Sequence, residues 1–274
     1  CYNHAHFLGE AIESVRDQTY RPVETVVVDD GSTDATPEVA ARYPSVRYVR
    51  QENRGLSAAR NTGLRESTGR YLVFLDADDR LVPTALEAGV ACFRDHPECG
   101  FVFGSFRRIA ADGSLLERAT PPPNEEHPYD AMLRRNYISM HAAVMYRRDA
   151  LVSVEGFDPS LGACEDYDLY LRMTRRFPVC GHDEEVAEYR QHDHNMSGDS
   201  ELILTSALKA LGAQWDHVKT SRRLRNAHRA GVRFWTETYG RKSLWPVAHL
   251  RRPPAPERTA RAAATLLRYV PRWF

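Results

Sequence analysis

No C-x-x-C pair occurs among the five cysteines, Cys1, Cys92, Cys99, Cys164 and Cys180, and their number is odd. That excludes a disulfide framework or a zinc knuckle as the organising device, and a reducing, cytoplasmic setting is expected. No run of about 18 apolar residues occurs, so no bilayer-spanning helix is expected, and no secretory leader is visible. Net charge is missing too, with 37 Lys and Arg against 37 Asp and Glu. There is no internal repeat. What remains is 274 residues, 42% of them hydrophobic, enough to bury one sizeable core and to exclude disorder throughout.

The zero net charge conceals an asymmetry. Residues 219–274 hold 14 basic side chains and two acids, Glu237 and Glu257, a balance of +12, which leaves −12 in the remainder. A basic end of this kind meets an anionic surface or lies as a solvated helical face, and an acidic body suits cation-assisted chemistry.

Along the chain, Phe7, Leu8, Ile12 and Val15 recur at helical spacing between His6 and Gln18, and a proline-bearing connection leads into the apolar run Thr25–Val28. Thr36 followed by Pro37 reads as a helix N-cap with proline at the first helical position. "SVRYVRQ" alternates as a strand, "LSAARNTGLRES" reads as helix, "GRYLVFLDADD" as a second buried strand and "PTALEAGVACFRDHP" as a further helix. Strands alternating with helices in this way predict an α/β fold with a mostly parallel, Rossmann-like sheet covered by helices on both faces. Beyond Cys99, "FVFGSFRRIAADGSLLE" reads as two strands about a turn, "MHAAVMYRRDAL" as strand into helix, "EDYDLYLRMTRRF" as helix and "EEVAEYRQH" as strand. The division expected is a first domain over 1–198 and a helical, basic C-terminal region over 199–274.

Both buried strands end in acids: Asp29 and Asp30 in "VVVDDGSTDATPE", and Asp76, Asp78 and Asp79 in "LDADD". Ligands of open parallel sheets bind outside the carboxyl ends of the strands. Crowded carboxylates repel unless a cation or hydrogen-bond donors neutralise them. Mg2+ or Mn2+ takes one or two protein carboxylates together with substrate phosphate oxygens, so a diphosphate-linked donor suits the pattern. In an extended segment, Asp76 and Asp78 would point to the same face. Taken singly, either cluster is also ordinary turn and cap vocabulary.

"CYNHAHFLGEAIESVRDQTY", "VVVDDGSTDAT", "NRGLSAARNTGL", "GRYLVFLDADD" and "EDYDLYLRM", in this order over residues 1 to about 197, resemble glycosyltransferase family 2, nucleotide-sugar transferases with a GT-A fold. The resemblance implies that Asp30 hydrogen-bonds a nucleobase edge with Tyr2 beside it, and that Arg60 and Asp76 help to hold the nucleotide. It implies that Asp78 ligates Mn2+ or Mg2+ across the diphosphate and that Asp166, with Glu165 as neighbour, is the catalytic base. The last role also follows from chemistry, because displacement at an anomeric carbon needs a base for the acceptor hydroxyl and a carboxylate at a helix start stays ionised. "EYRQHDHNMSG" resembles the family's Y-R-x-H-x-x-N-x-S segment, in which His192 would complete the metal site, with His194 as rival. Cys164 is expected to be packed rather than nucleophilic, and the Cys180, His182, His192, His194 set matches no zinc spacing.

Two departures accompany the match. The family's first strand and the proline before "CYN" are not in the sequence, and neither is the Q-x-x-R-W motif of processive synthases, so addition of a single sugar is expected. The reading is an inverting, metal-dependent glycosyltransferase that acts on a nucleoside-diphosphate sugar and a glycan or lipid-linked acceptor in cell-surface glycan or glycolipid synthesis. The alternatives are a sugar nucleotidyltransferase, which would want a glycine-rich basic phosphate loop, and a non-catalytic nucleotide-binding scaffold. Arginines among Leu266, Leu267, Tyr269, Val270, Trp273 and Phe274 describe either an interfacial helix on the inner face of an anionic membrane or a helix packed on the body of the protein. No nucleic-acid module accompanies the charge.

Overall fold

The computed structural model describes residues 1–192 and 198–240. Two compact units make up the chain: Cys1–Glu126, Tyr137–Pro159 and Arg172–Asp193 form the first, and His127–Asn136, Ser160–Leu171 and His194–Phe274 the second.

In the first unit the expected helix is α1, Ala5–Arg16, and the apolar run is β1, Val26–Asp29, which pairs in parallel with β2, Arg47–Arg50. The crossover is α2, Thr36–Ala40. Thr36 is its first residue rather than its cap. Asp34 Oδ1 accepts from the Thr36 amide at 3.1 Å and from its hydroxyl at 2.6 Å, so the acidic side chain two residues upstream satisfies the first helical amide. Leu8 and Ile12 of α1, Val27 of β1, Ala40 of α2 and Ala77 form one apolar cluster. Burying each of the large aliphatic members is worth roughly 1.5–3 kcal/mol.

The rest of the first unit is a six-stranded sheet. It contains β3 (Tyr71–Val73), β4 (Arg80–Leu81), β5 (Phe101–Ala110), β6 (Leu115–Arg118), β7 (Val144–Arg147) and β8 (Val179–Gln191). The order is β3-β7-β5-β8-β4, with β6 also on β5. In strand direction the sheets are mixed: β1–β2 and β5–β8 are parallel, and the remaining pairs antiparallel. The β5–β6 hairpin turns where Asp112 Oδ1 accepts the Ser114 amide at 2.9 Å, as the Ala-Asp-Gly-Ser signal predicts. Helices α3 (Leu56–Glu66), α4 (Ala85–Asp95) and α6 (Arg148–Ser153) complete this unit.

The second unit is helical. It contains α5 (Pro128–Arg134), the first part of α7 (Glu165–Thr174), α8 (Ser200–Ala213), α9 (Trp215–Val218) and α10 (Arg222–Trp235). Asp199 and Ser221 cap α8 and α10 by accepting the amides of Leu202 and Leu224. Gly231 lets α10 lie against α5: a Cβ there would sit 1.9 Å from the Leu133 carbonyl oxygen. Among the described residues no helix is long and apolar enough to cross a membrane. The aromatic and arginine-bearing stretch 255–274 and His194 lie outside the described residues.

Candidate active site

The two aspartates that close β1 have different surroundings. Asp29 is fully buried; it accepts the Ser32 amide at 2.7 Å and the Tyr48 hydroxyl at 2.5 Å, and Arg50 stands 3.9 Å away. Burial works to raise its pKa, but the bonds from Ser32 and Tyr48 and the Arg50 charge outweigh it and leave the carboxyl below its ordinary value. Asp29 therefore shapes the turn. Asp30, also buried, accepts from Gln51 Nε2 at 2.7 Å, the Arg54 amide at 3.0 Å and the Gly55 amide at 2.8 Å. A carboxylate has about four acceptor positions, so Asp30 first fastens the loop ahead of α3 and keeps about one for a ligand. Gly31, at φ +83°, makes the turn possible. The backbone of Cys1 bonds β1 on either side, through Val28 O and the Asp30 amide, and the half-exposed Tyr2 ring follows it.

The acids after β3 lie in a turn, not an extended segment: the Asp79 amide bonds the Asp76 carbonyl at 3.1 Å. The intervening Ala77 packs in the apolar cluster of α1 and β1, and the carboxylates of Asp76 and Asp78 meet different partners. The turn replaces the extended segment that was expected here. Asp76 Oδ1 accepts from Nη2 of the buried Arg60 at 2.7 Å. The next residue of α3, Asn61, clamps the Phe157 backbone at both its amide and its carbonyl. Asp78 Oδ2 lies 3.0 Å from His192 Nε2, and its Oδ1 lies 3.9 Å from His4 Nδ1. Burial lowers the His4 pKa, Asp78 opposes this, and His192 reinforces it. Asp79 is buried, and burial together with the Asp78 and Asp76 charges pushes its carboxyl well above the ordinary range.

Both acid-bearing turns touch the segment 1–4: the Asp30 amide bonds the Cys1 carbonyl at 2.9 Å, and Asp78 Oδ1 lies 3.9 Å from His4 Nδ1. Among the described residues no three His, Cys, Asp or Glu side chains gather as a metal cage. Asp78 with His192 instead offers one carboxylate oxygen and one imidazole nitrogen side by side. That donor set fits a divalent cation that takes its other ligands from a diphosphate and from water.

In the second unit, Glu165 and Asp166 open α7. Cys164 precedes them at φ +55°, and the turn delivers Asp166 partly exposed while Glu165 is buried. Asp166 Oδ1 accepts the Tyr167 amide at 2.7 Å and Oδ2 accepts Asn136 Nδ2 at 3.4 Å. Burial, with the Asp166 and Glu165 charges, pushes the Cys164 thiol up, so it is a packed thiol that donates toward the Ile203 carbonyl. Cys180 packs with Cys92 and Cys99 in the first unit's core. Burial and the neighbouring sulfur push the Cys92 and Cys99 thiols to about 12.

The family model for glycosyl transferase family 2 matches residues 1–154. The chain belongs to glycosyltransferase family 2. Its relatives include the chondroitin synthase of Escherichia coli, 32% identical over 65% of this chain, of which the chain spans only 26%. Another is TuaG of Bacillus subtilis, assigned to teichuronic acid biosynthesis as a glycosyltransferase, 30% identical over 72% of this chain and 79% of that protein. Among solved structures, S. aureus TarS 1–349 in complex with UDP-GlcNAc superposes with a TM-score of 0.78 over 98% of this chain and 78% of that one, at 16% identity. The mannosyltransferase PcManGT from Pyrobaculum calidifontis, in complex with GDP-Man and Mn2+, gives 0.65 over 97% and 78%, at 20% identity. These likenesses place the fold among those of nucleotide-sugar transferases.

Within this family 2 chain, sequence reasoning missed Tyr48, Gln51, the Arg54 and Gly55 amides and His4. The visible signals were "QENRG" between β2 and α3, with Gly55 at φ +85°, and the paired histidines of "NHAH".

Proposed function

We propose that this chain moves a sugar from a nucleoside-diphosphate sugar to a hydroxyl of a glycan or lipid-linked acceptor in cell-surface glycan synthesis, with inversion at the anomeric carbon. The observation that carries the reading is the presence in the first unit of the Asp30-fastened loop, the Arg60–Asp76 pair and the Asp78–His192 pair. The family membership and the nucleotide-sugar complexes of two neighbours support it.

In this mechanism the half-exposed Tyr2 ring stacks on the base while Asp30 uses its remaining lone pair on the base edge. Arg60 holds Asp76 toward the nucleotide. Asp78 and His192 would hold Mg2+ or Mn2+, and the chemistry that ion would supply is stabilisation of the departing diphosphate's charge. Asp166 takes the acceptor proton as the acceptor oxygen attacks the anomeric carbon opposite the leaving group, which inverts the centre. Asn136 Nδ2 and the Tyr167 amide donate to its carboxyl oxygens and orient it, and Glu165 precedes it. The basic C-terminal region, beginning with the exposed Arg222, Arg223, Arg229 and Arg233 of α10, rests on the anionic inner face of a membrane.

Incubation of the chain with Mn2+ and a panel of UDP-, dTDP- and GDP-sugars tests the reading. Release of nucleoside diphosphate supports transfer. Pyrophosphate release or consumption would replace it with nucleotidyl chemistry, and binding without turnover with a scaffold.

A further inference from the structure

Arg190 is one of the largest side chains buried to 0% exposure in the molecule, and it is not surrounded by apolar atoms alone. Its amide donates to Asp79 Oδ1 at 2.8 Å, Nε to the Asp78 carbonyl at 2.7 Å, Nη1 to the Ala111 carbonyl at 2.7 Å and Nη2 to Glu10 Oε2 at 2.6 Å. Its guanidinium carbon lies 4.6 Å from the Phe7 ring centroid. One side chain thus ties the Asp78–Asp79 turn to α1 and to the β5–β6 hairpin. Two residues further along the same strand end, His192 meets Asp78.

Burying a guanidinium costs several kcal/mol unless its donors are satisfied, so such a residue persists where its geometry is needed. Only a planar fork can serve the Asp78 carbonyl, the Ala111 carbonyl and Glu10 in three fixed directions; a lysine ammonium is a single point. We propose that Arg190 is a positioning residue for the cation site: by fixing the Asp78 backbone it holds the Asp78 carboxylate against His192. This rests on the reading that Asp78 and His192 hold the divalent cation. Among the described residues the Asp78 carboxylate meets the imidazoles of His192 and His4, and its backbone anchor sets where that carboxylate goes.

The test is Mn2+ binding to the full chain, followed by electron paramagnetic resonance of free Mn2+ in the presence of UDP or GDP, with melting temperatures in parallel. Supporting oxygens around a metal ligand typically govern affinity about 10- to 100-fold, so Arg190→Lys should raise the Mn2+ Kd by about that factor. Glu10→Gln, which keeps Arg190 but removes its anionic anchor, should raise it less. Arg148→Gln breaks the bonds of Arg148 to the Gly69 and Leu64 carbonyls and the Ser67 hydroxyl, outside the Arg190–Glu10 network, and should lower the melting temperature while leaving the Kd unchanged. Wild-type Kd in folded Arg190→Lys overturns the inference, and if that variant does not fold, wild-type Kd in Glu10→Gln does so. If Asp78→Asn binds Mn2+ as tightly as the wild type, the cation reading itself falls. Loss in Asp78→Asn with none in Arg190→Lys removes the positioning role alone.

Discussion

Tyr48→Phe removes one oxygen from a half-buried ring, and its effect can be worked through Asp29. The hydroxyl donates at 2.5 Å to a carboxylate with no solvent exposure. A hydrogen bond to a charged partner is worth about 1.5–3 kcal/mol, so the variant should lose about 2 kcal/mol at pH 7. The same change moves the folded-state pKa of Asp29 up toward its ordinary value, because a hydrogen bond to the charged form is lost. The sign follows from the direction of the native shift. Asp29 is depressed when folded, so its stabilisation is complete above the unfolded value of about 3.9 and is lost as pH falls through the folded value. The variant has less of this stabilisation to lose, so the gap between the two proteins narrows from pH 7 toward pH 3.5. Urea unfolding at both pH values reads the gap, and a double-mutant cycle with Asp29→Asn isolates the pair. A gap below about 0.5 kcal/mol at pH 7, or one that stays constant with pH, would refute the argument.

Asp166→Asn should cut transfer by about 100- to 10,000-fold while metal-dependent nucleotide binding by calorimetry stays within about 3-fold; unchanged turnover would remove Asp166 from the base role. Asp78→Ala should weaken both nucleotide binding and turnover. Gly31→Ala forces a side chain onto a residue at φ +83° with its Cβ 2.9 Å from the Asn53 amide nitrogen, and should cost about 2 kcal/mol or more by thermal or urea unfolding together with a loss of nucleotide affinity. Chelation with EDTA should stop nucleoside diphosphate release, and Mn2+ or Mg2+ in excess should restore it; full activity in EDTA would exclude the cation.

Much of the fold was legible because its signals are local. The helical spacing of Leu8 and Ile12, the apolar run Val26–Val28 and the turn signal at Asp112–Ser114 each specify an element from neighbours in the chain. The direction of the strands was less legible. β5 runs parallel to β8 and antiparallel to β7, a choice made by contacts between segments tens of residues apart. Asp30, Arg60, Asp76, Asp78 and His192 were all picked out from sequence as candidates, and the structure gathers them in one unit. Their partners were not visible: that Asp30 would fasten the Arg54–Gly55 loop, that Asp76 would meet Arg60 and that Asp78 would meet His192 depends on segments distant in the chain.

By itself, the sequence determined the α/β class, the positions of the elements and the supply of carboxylates at strand ends, because hydrophobic period, turn chemistry and charge are properties of short stretches. Only the tertiary structure decided which aspartate is tied to its own turn and to Tyr48 and which to the loop before α3. Asp29 and Asp30 are adjacent and chemically identical, and they differ in the groups that folding brings from β2 and from the loop before α3. A carboxylate's role is set by the donors around it, and those donors are distant in the chain.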